Sequence, residues 1–88
     1  MNTYDPLRQY LSNLPSSQSQ VDLSFSDIEE IIRTPLPPSA RNHRPWWGNE
    51  RSSNMHTQCK AWIEAGWEVE TVDLQGETVR FRRVRQDS

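Results

Sequence analysis

Four tryptophans, at positions 46, 47, 62 and 67, constrain what this 88-residue chain can fold into. Only 33 % of its residues are hydrophobic, and its mean hydropathy is −0.92. A chain this short builds a thin core, but each tryptophan ring can bury roughly 150–250 Å². The sequence therefore predicts one domain over residues 1–88, ordered over 4–84, with a core built around tryptophan.

The cysteine content and the N-terminus indicate the cellular location. Cys59 is the one cysteine and cannot form an internal disulfide, whereas small secreted domains usually carry paired cysteines. No apolar run approaches the roughly 18–20 residues of a membrane span, and residues 1–5 lack the basic start of a signal peptide. We expect a cytoplasmic bacterial protein without a membrane partner. The sequence does not predict its oligomeric state.

The first half of the chain reads as helix, strand and helix. An apolar stripe with helical spacing begins after Asp5 and ends at Pro15. Alternating apolar residues over Val21–Phe25 are typical of a half-buried strand. Ser26 and Glu29 have the spacing of a capping box, which predicts the start of a second helix.

The second half reads as a short helix, a longer helix and a hairpin. Ser39 can cap one turn through Arg44, and either Ser53 or Asn54 can cap a helix that runs to Ala65. Gly66 is a natural stop for that helix. Its predicted outward-facing residues are Thr57, Lys60, Ala61 and Glu64, and its inward-facing residues are Met55, Cys59, Trp62 and Ile63.

The hairpin register follows from charge pairing. We expect a three-residue loop, Leu74–Gly76, with Gly76 in the left-handed conformation. The resulting cross-strand pairs are Asp73 with Glu77, Thr71 with Val79, Glu70 with Arg80, Val69 with Phe81 and Glu68 with Arg82. This register places apolar residues on one face and two opposite-charge pairs on the other.

The element order predicts an α+β, winged-helix-like domain. Its N-terminal helices are followed by a C-terminal hairpin, and Val21–Phe25 should pair with that hairpin because an isolated hairpin is marginal in water. The predicted core residues are Leu7, Leu11, Leu23, Phe25, Ile28, Ile32, Trp62, Val69, Val79 and Phe81.

A family resemblance covers most of the chain. The residues that carry it are Tyr4-Asp5-Pro6-Leu7, Leu36-Pro37-Pro38-Ser39-Ala40-Arg41, Trp46-Trp47 with Asn49, then His56, Gln58, Ala61, Trp62 and Ala65-Gly66-Trp67. In these residues the chain resembles an uncharacterised bacterial domain family that occurs alone and as an appended module. The resemblance implies a shared fold and assigns no activity. Cys59 stands where the family pattern favours a small residue such as alanine.

The sequence does not indicate catalysis. His43, His56 and Cys59 do not match a standard zinc spacing, and a fourth ligand is not evident. Cys59 is on the predicted apolar face, where a thiolate is disfavoured, so we interpret it as a small core residue. The glycines are isolated and form no phosphate loop. We therefore expect no enzyme activity, no metal and no cofactor.

The segment over residues 39–60 combines cations, amides and tryptophan, which favours nucleic-acid binding. The first hypothesis is a DNA-binding winged helix-turn-helix protein, with the hairpin as its wing. Arginines and Lys60 would bind phosphates, Asn49, Asn54 and Thr57 would reach bases, and Trp47 would stack or wedge. The full predicted surface is Arg41, Arg44, Trp47, Asn49, Arg51, Ser53, Asn54, Thr57 and Lys60, with Arg82 and Arg83 on the wing.

The same surface supports a second hypothesis, protein binding. Small acidic proteins are often inhibitors, antitoxins or adaptors, and the tandem Trp46-Trp47 could act as an interface hot spot. A further interpretation is that Trp46 or Trp47 fills the core and the arginines are solvated. The sequence does not separate these alternatives.

Overall fold

The computed structural model describes residues 3–49 and 57–84, and of Thr57 only the backbone. The elements in chain order are α1 (Asp5–Ser12), β1 (Gln20–Ser24), α2 (Phe25–Ile32), α3 (Pro38–Asn42), a short 3₁₀ helix (Arg44–Trp47), α4 (Thr57–Glu64), β2 (Trp67–Asp73) and β3 (Thr78–Arg83). The predicted α+β class is confirmed. The predicted helix start at Ser53 or Asn54 and the predicted inward-facing Met55 lie outside the described residues.

The capping box that opens α2 lies two residues earlier than predicted. The Ser24 hydroxyl accepts from the Asp27 N–H at 2.9 Å, and the Asp27 carboxylate accepts from the Ser24 N–H at 3.0 Å. Glu29 is not available for this role because its carboxylate accepts from the Leu36 N–H at 2.7 Å. Phe25 therefore begins the helix instead of ending the strand, and it is fully buried.

The three strands form one antiparallel sheet in the order β1-β3-β2. Val21 lies opposite Phe81, and Leu23 lies opposite Val79. The predicted pairing of the first strand with the hairpin is thus confirmed, over Gln20–Ser24. Since β3 is central, β1 and β2 each have one edge that no other strand of the described residues pairs with.

The hairpin register agrees with the prediction only at its open end. Val69 lies opposite Phe81 and Glu68 opposite Arg82, but a bulge between Val69 and Thr71 shifts the remaining pairs by one residue. Val72 is consequently opposite Val79. The turn is one residue longer than predicted, and its left-handed residue is Glu77, at φ 56°, not Gly76.

The bulge changes which later residue of β2 reaches the core. Nine of the ten predicted core residues are buried, and Val69, which keeps its predicted place opposite Phe81, is half-buried. Beyond the bulge Val72 is buried opposite Val79, where Thr71 was expected. The tryptophans fill the centre as expected: Trp62 and Trp67 are fully buried, and the Trp67 indole N–H donates to the Leu11 carbonyl at 3.1 Å. Gly66, at φ 86°, follows α4 as predicted and turns the chain into β2.

Candidate binding surface

Arg41, a predicted phosphate ligand, ties three elements together. Its guanidinium forms ion pairs with Glu29 of α2, at 2.9 Å, and with Glu77 of the hairpin turn. The Leu36 N–H and the Arg41 guanidinium together hold the pKa of Glu29 below its ordinary value. Arg41 therefore supports the fold, and its charge is already matched by two carboxylates.

Arg44 and Asn49 cover the outer edge of β2. The Arg44 guanidinium donates to the Val72 carbonyl. The Asn49 amide donates to the Val69 carbonyl at 2.8 Å, and its oxygen accepts from the Val69 N–H at 2.8 Å and from the Trp62 indole N–H at 3.1 Å. The side chain predicted to reach DNA bases thus takes the place of a neighbouring strand.

Trp47 is in the core, so its predicted exposed position is wrong. It is 2 % exposed and lies between Phe25 and Trp62, with ring centroids 5.2 and 5.9 Å away and nearly parallel planes. Its indole N–H donates to the Ala40 carbonyl at 2.7 Å. One part of the alternative interpretation, that one tryptophan of the pair fills the core, is confirmed. Its other part, that the arginines are solvated, is wrong for Arg41, which binds two carboxylates, and for Arg44, which binds a backbone carbonyl. Trp46 packs against this core and remains half-buried.

The predicted wing arginines are also engaged within the domain. Arg82 pairs with Glu68 across the hairpin. Arg83 donates to the carbonyls of Gln18 and Pro15, each at 2.9 Å, and its guanidinium lies 4.5 Å from the centre of the Trp67 ring. Contacts within the domain therefore account for both arginines of the predicted wing, Arg82 and Arg83.

Only part of the face of α4 that was predicted to read DNA lies within the described residues. Lys60 is exposed as predicted, but Ala61 is buried, so the predicted exposure of Ala61 is wrong. Ala61 packs inward because α4 is covered on two sides, by α1 and by β2. The remaining predicted contacts, Arg51, Ser53, Asn54 and the Thr57 side chain, lie outside the described residues.

A groove that the sequence analysis did not single out lies between α1, β1 and α2. We call it the α1–β1–α2 groove; it measures about 450 Å³ and is lined by Tyr10, Val21, Asp22, Leu23, Asp27, Glu30 and Ile31. Tyr10 is 37 % exposed, more than any other large apolar side chain of the described residues. The sequence signal for this groove was the width of the apolar stripes on α1 and α2. Tyr10 on α1 and Ile31 on α2 each extend the stripe of their helix beyond the residues that the core buries.

The described residues offer little for metal chemistry. Over 3–49 and 57–84, no three His, Cys, Asp or Glu side chains are grouped so that they could hold an ion. Cys59 is buried, as expected for a small core residue. Within the same ranges, no helix has the length and apolar character needed to cross a bilayer.

The described residues form a small α+β domain in which one three-stranded sheet and four α-helices enclose a tryptophan core. The chain belongs to the family described as Domain of unknown function (DUF7662), whose model matches residues 4–84. This agrees with the resemblance to an uncharacterised domain family. No curated protein matches the chain. No solved structure matches it either.

Proposed function

We propose that this domain is a non-enzymatic protein-binding module, and that it binds its partner at the α1–β1–α2 groove. The observation that carries the proposal is the groove itself: Tyr10, Val21 and Ile31 present apolar surface to solvent beside the exposed carboxylates of Asp27 and Glu30. An apolar floor with a polar rim is the usual composition of a protein interface.

The engaged arginines favour a protein over DNA as the ligand. A phosphate contact at Arg41 would have to compete with Glu29 and Glu77, and a contact at Arg82 with Glu68. DNA binding depends on cations that neutralise phosphates and release counterions. Cations that are already paired contribute less to that binding.

DNA binding by a winged-helix-like domain is the second candidate, and a specific observation favours it. With α3 and the 3₁₀ helix set aside, the order α1, β1, α2, α4, β2, β3 and the sheet order β1-β3-β2 resemble a winged helix-turn-helix domain, which supports this candidate. In that arrangement α4 would be the recognition helix, and its exposed Lys60 would face the phosphates.

The experiment compares the two ligands on one set of variants. A tagged chain is purified from its source cells as wild type, as Tyr10→Ser and as the α4 control Glu64→Gln, and co-purifying proteins are quantified. We expect a stoichiometric partner with wild type and with Glu64→Gln that is lost with Tyr10→Ser. The purified domain is also titrated with duplex DNA at low salt. Tight DNA binding that weakens steeply with salt, together with no partner sensitive to Tyr10→Ser, would overturn the proposal.

A further inference from the structure

We infer that the α1–β1–α2 groove takes a basic, extended segment of the partner protein, which adds to the free edge of β1 as a fourth strand. The inference rests on the proposed function and specifies its chemistry. Three features of the groove carry it: the backbone groups at the edge, the charge of the rim, and the poor fit of a second copy of this chain.

Alternate residues of β1 direct their backbone groups away from β3. The Arg83 N–H donates to the Ser19 carbonyl and the Phe25 N–H donates to the Glu77 carbonyl, each at 2.8 Å. Because residues in an antiparallel ladder alternate between facing the partner and facing away, Gln20, Asp22 and Ser24 direct their backbone groups outward.

At each end of this edge one backbone group is already engaged, whereas both groups of the middle residue are open. The Ser24 N–H donates to Asp27, and the Gln20 carbonyl accepts from the Gln18 amide at 3.1 Å. Neither the N–H nor the carbonyl of Asp22 has a hydrogen-bond partner among the described residues. A partner residue placed opposite Asp22 would supply both bonds, which is the means by which added strands bind.

The side-chain pattern of the partner segment follows from strand geometry, because successive side chains of a strand point to opposite faces of the sheet. A residue opposite Asp22 would point to the same face as that carboxylate, whose side chain is 58 % exposed. The two flanking residues would point into the groove, between Tyr10 and Ile31. The segment should therefore alternate, with a cation opposite Asp22 and apolar residues beside it.

The rim supplies the charge complement. Asp22, Asp27 and Glu30 all line the groove. Asp22 pairs with Arg80 at 2.8 Å and Asp27 is held in the capping box, whereas Glu30 has no ion-pair partner within the described residues. Glu30 is thus the carboxylate whose charge is unmatched within the described residues, and it attracts a basic segment through the field of the rim, since the cation opposite Asp22 points to the other face of the sheet.

A second copy of this chain fits the edge poorly. Antiparallel pairing of β1 with another β1, centred on the open residue, would set one Asp22 directly opposite the other. Like charges at that position destabilise a strand pair. The same edge and rim accept a basic segment without this repulsion.

The test uses two acetylated heptapeptides, one alternating lysine with valine and one alternating glutamate with valine, added to the full chain labelled with ¹⁵N. We expect the lysine peptide to bind, to shift the amide signals of β1 and to slow hydrogen exchange at the Asp22 N–H. The affinity should fall with added salt, and the glutamate peptide should not bind. Equal binding of the two peptides, no binding of the lysine peptide, or shifts confined to another surface would overturn the inference.

Two variant pairs sharpen the test. Glu30→Lys should weaken binding of the lysine peptide about threefold to tenfold, as expected for a rim charge, while Glu64→Lys on α4 should not. Asp22→Pro removes the outward N–H and leaves the β1–β3 ladder intact, so it should bind less tightly than Asp22→Asn. If Asp22→Pro does not fold, the Glu30 and Glu64 pair decides. Loss of the cellular partner with Tyr10→Ser but no preference for the lysine peptide would refute strand addition and leave the proposed function standing.

Discussion

The side-chain amide of Asn49 pairs with both backbone groups of Val69, donating to its carbonyl and accepting from its N–H. Arg44 donates to the Val72 carbonyl three residues further along the same edge. An uncovered strand edge is a template for unwanted pairing. Arg44 and Asn49 therefore cover the edge of β2, while the edge of β1 has a position at Asp22 that no other described residue covers.

Replacement of Asn49 should be costly. Asn49→Ala leaves the Trp62 indole N–H and both backbone groups of Val69 without their partner, and unpaired, partly buried polar groups cost about 1–3 kcal/mol each when water cannot reach them. We expect the free energy of unfolding, measured by urea titration, to fall by about 2–4 kcal/mol. Asn13→Ala, at an exposed position, is the control and should change it by less than about 0.5 kcal/mol. Equal effects of the two variants would refute the edge-covering role.

The core was predictable because it depends on periodicity. Leu7, Leu11, Ile28 and Ile32 follow helical spacing, and nine of the ten predicted core residues are buried. The burial of Val72 was missed because a β-bulge leaves no periodic signal in a sequence, and one inserted residue moves every later side chain to the opposite face.

The binding surface was less predictable because the charge and aromatic content of a segment do not indicate whether its side chains point into the core or towards solvent. Trp47 and Asn49 occur in a segment with no apolar periodicity, which suggested exposure, yet tertiary contacts turn both inward. Arg41 binds carboxylates that are distant in sequence, at positions 29 and 77. The charge pairs within the hairpin could be inferred, since the local register brings Glu68 near Arg82 and Glu70 near Arg80, at 4.0 Å.

The Trp62 ring lies among three other aromatic rings in the core. It is fully buried and lies within 6.5 Å, between ring centroids, of Trp46, Trp47 and Phe81. Trp62→Ala should lower the free energy of unfolding by about 3–5 kcal/mol. In a domain of this size the loss should appear in thermal denaturation as a largely unfolded chain. Tyr10→Ala, which removes a partly exposed ring, should cost far less; a folded Trp62→Ala variant with wild-type stability would contradict the assigned packing.

Acid should weaken the link between α2 and α3. The pKa of Glu29 is lowered in the folded state by the Leu36 N–H and by Arg41. A carboxyl with a lowered folded pKa contributes stability that is present above its unfolded pKa, about 4.3, and is lost as the pH falls through the folded value. Glu29→Gln should therefore be less stable than wild type by about 1 kcal/mol at pH 7. The difference should shrink below about pH 4; chemical denaturation curves that stay equally separated from pH 7 to pH 3 would refute the assignment.

Removal of the charge at Lys60 and at Arg41 should have different effects on the free energy of unfolding. Lys60 is exposed on α4, whereas Arg41 donates hydrogen bonds to Glu29 and Glu77. Arg41→Ala should lower the free energy of unfolding by about 1–3 kcal/mol, so a loss of ligand binding in that variant would not identify a contact. Lys60→Ala should change stability by less than about 0.5 kcal/mol and is therefore the cleaner probe.

If the ligand is a protein held in the α1–β1–α2 groove, Lys60→Ala leaves both partner binding and the weak low-salt DNA affinity unchanged. A reduced DNA affinity with a salt dependence flattened by about one unit of slope would instead assign Lys60 to a phosphate and favour the DNA-binding candidate.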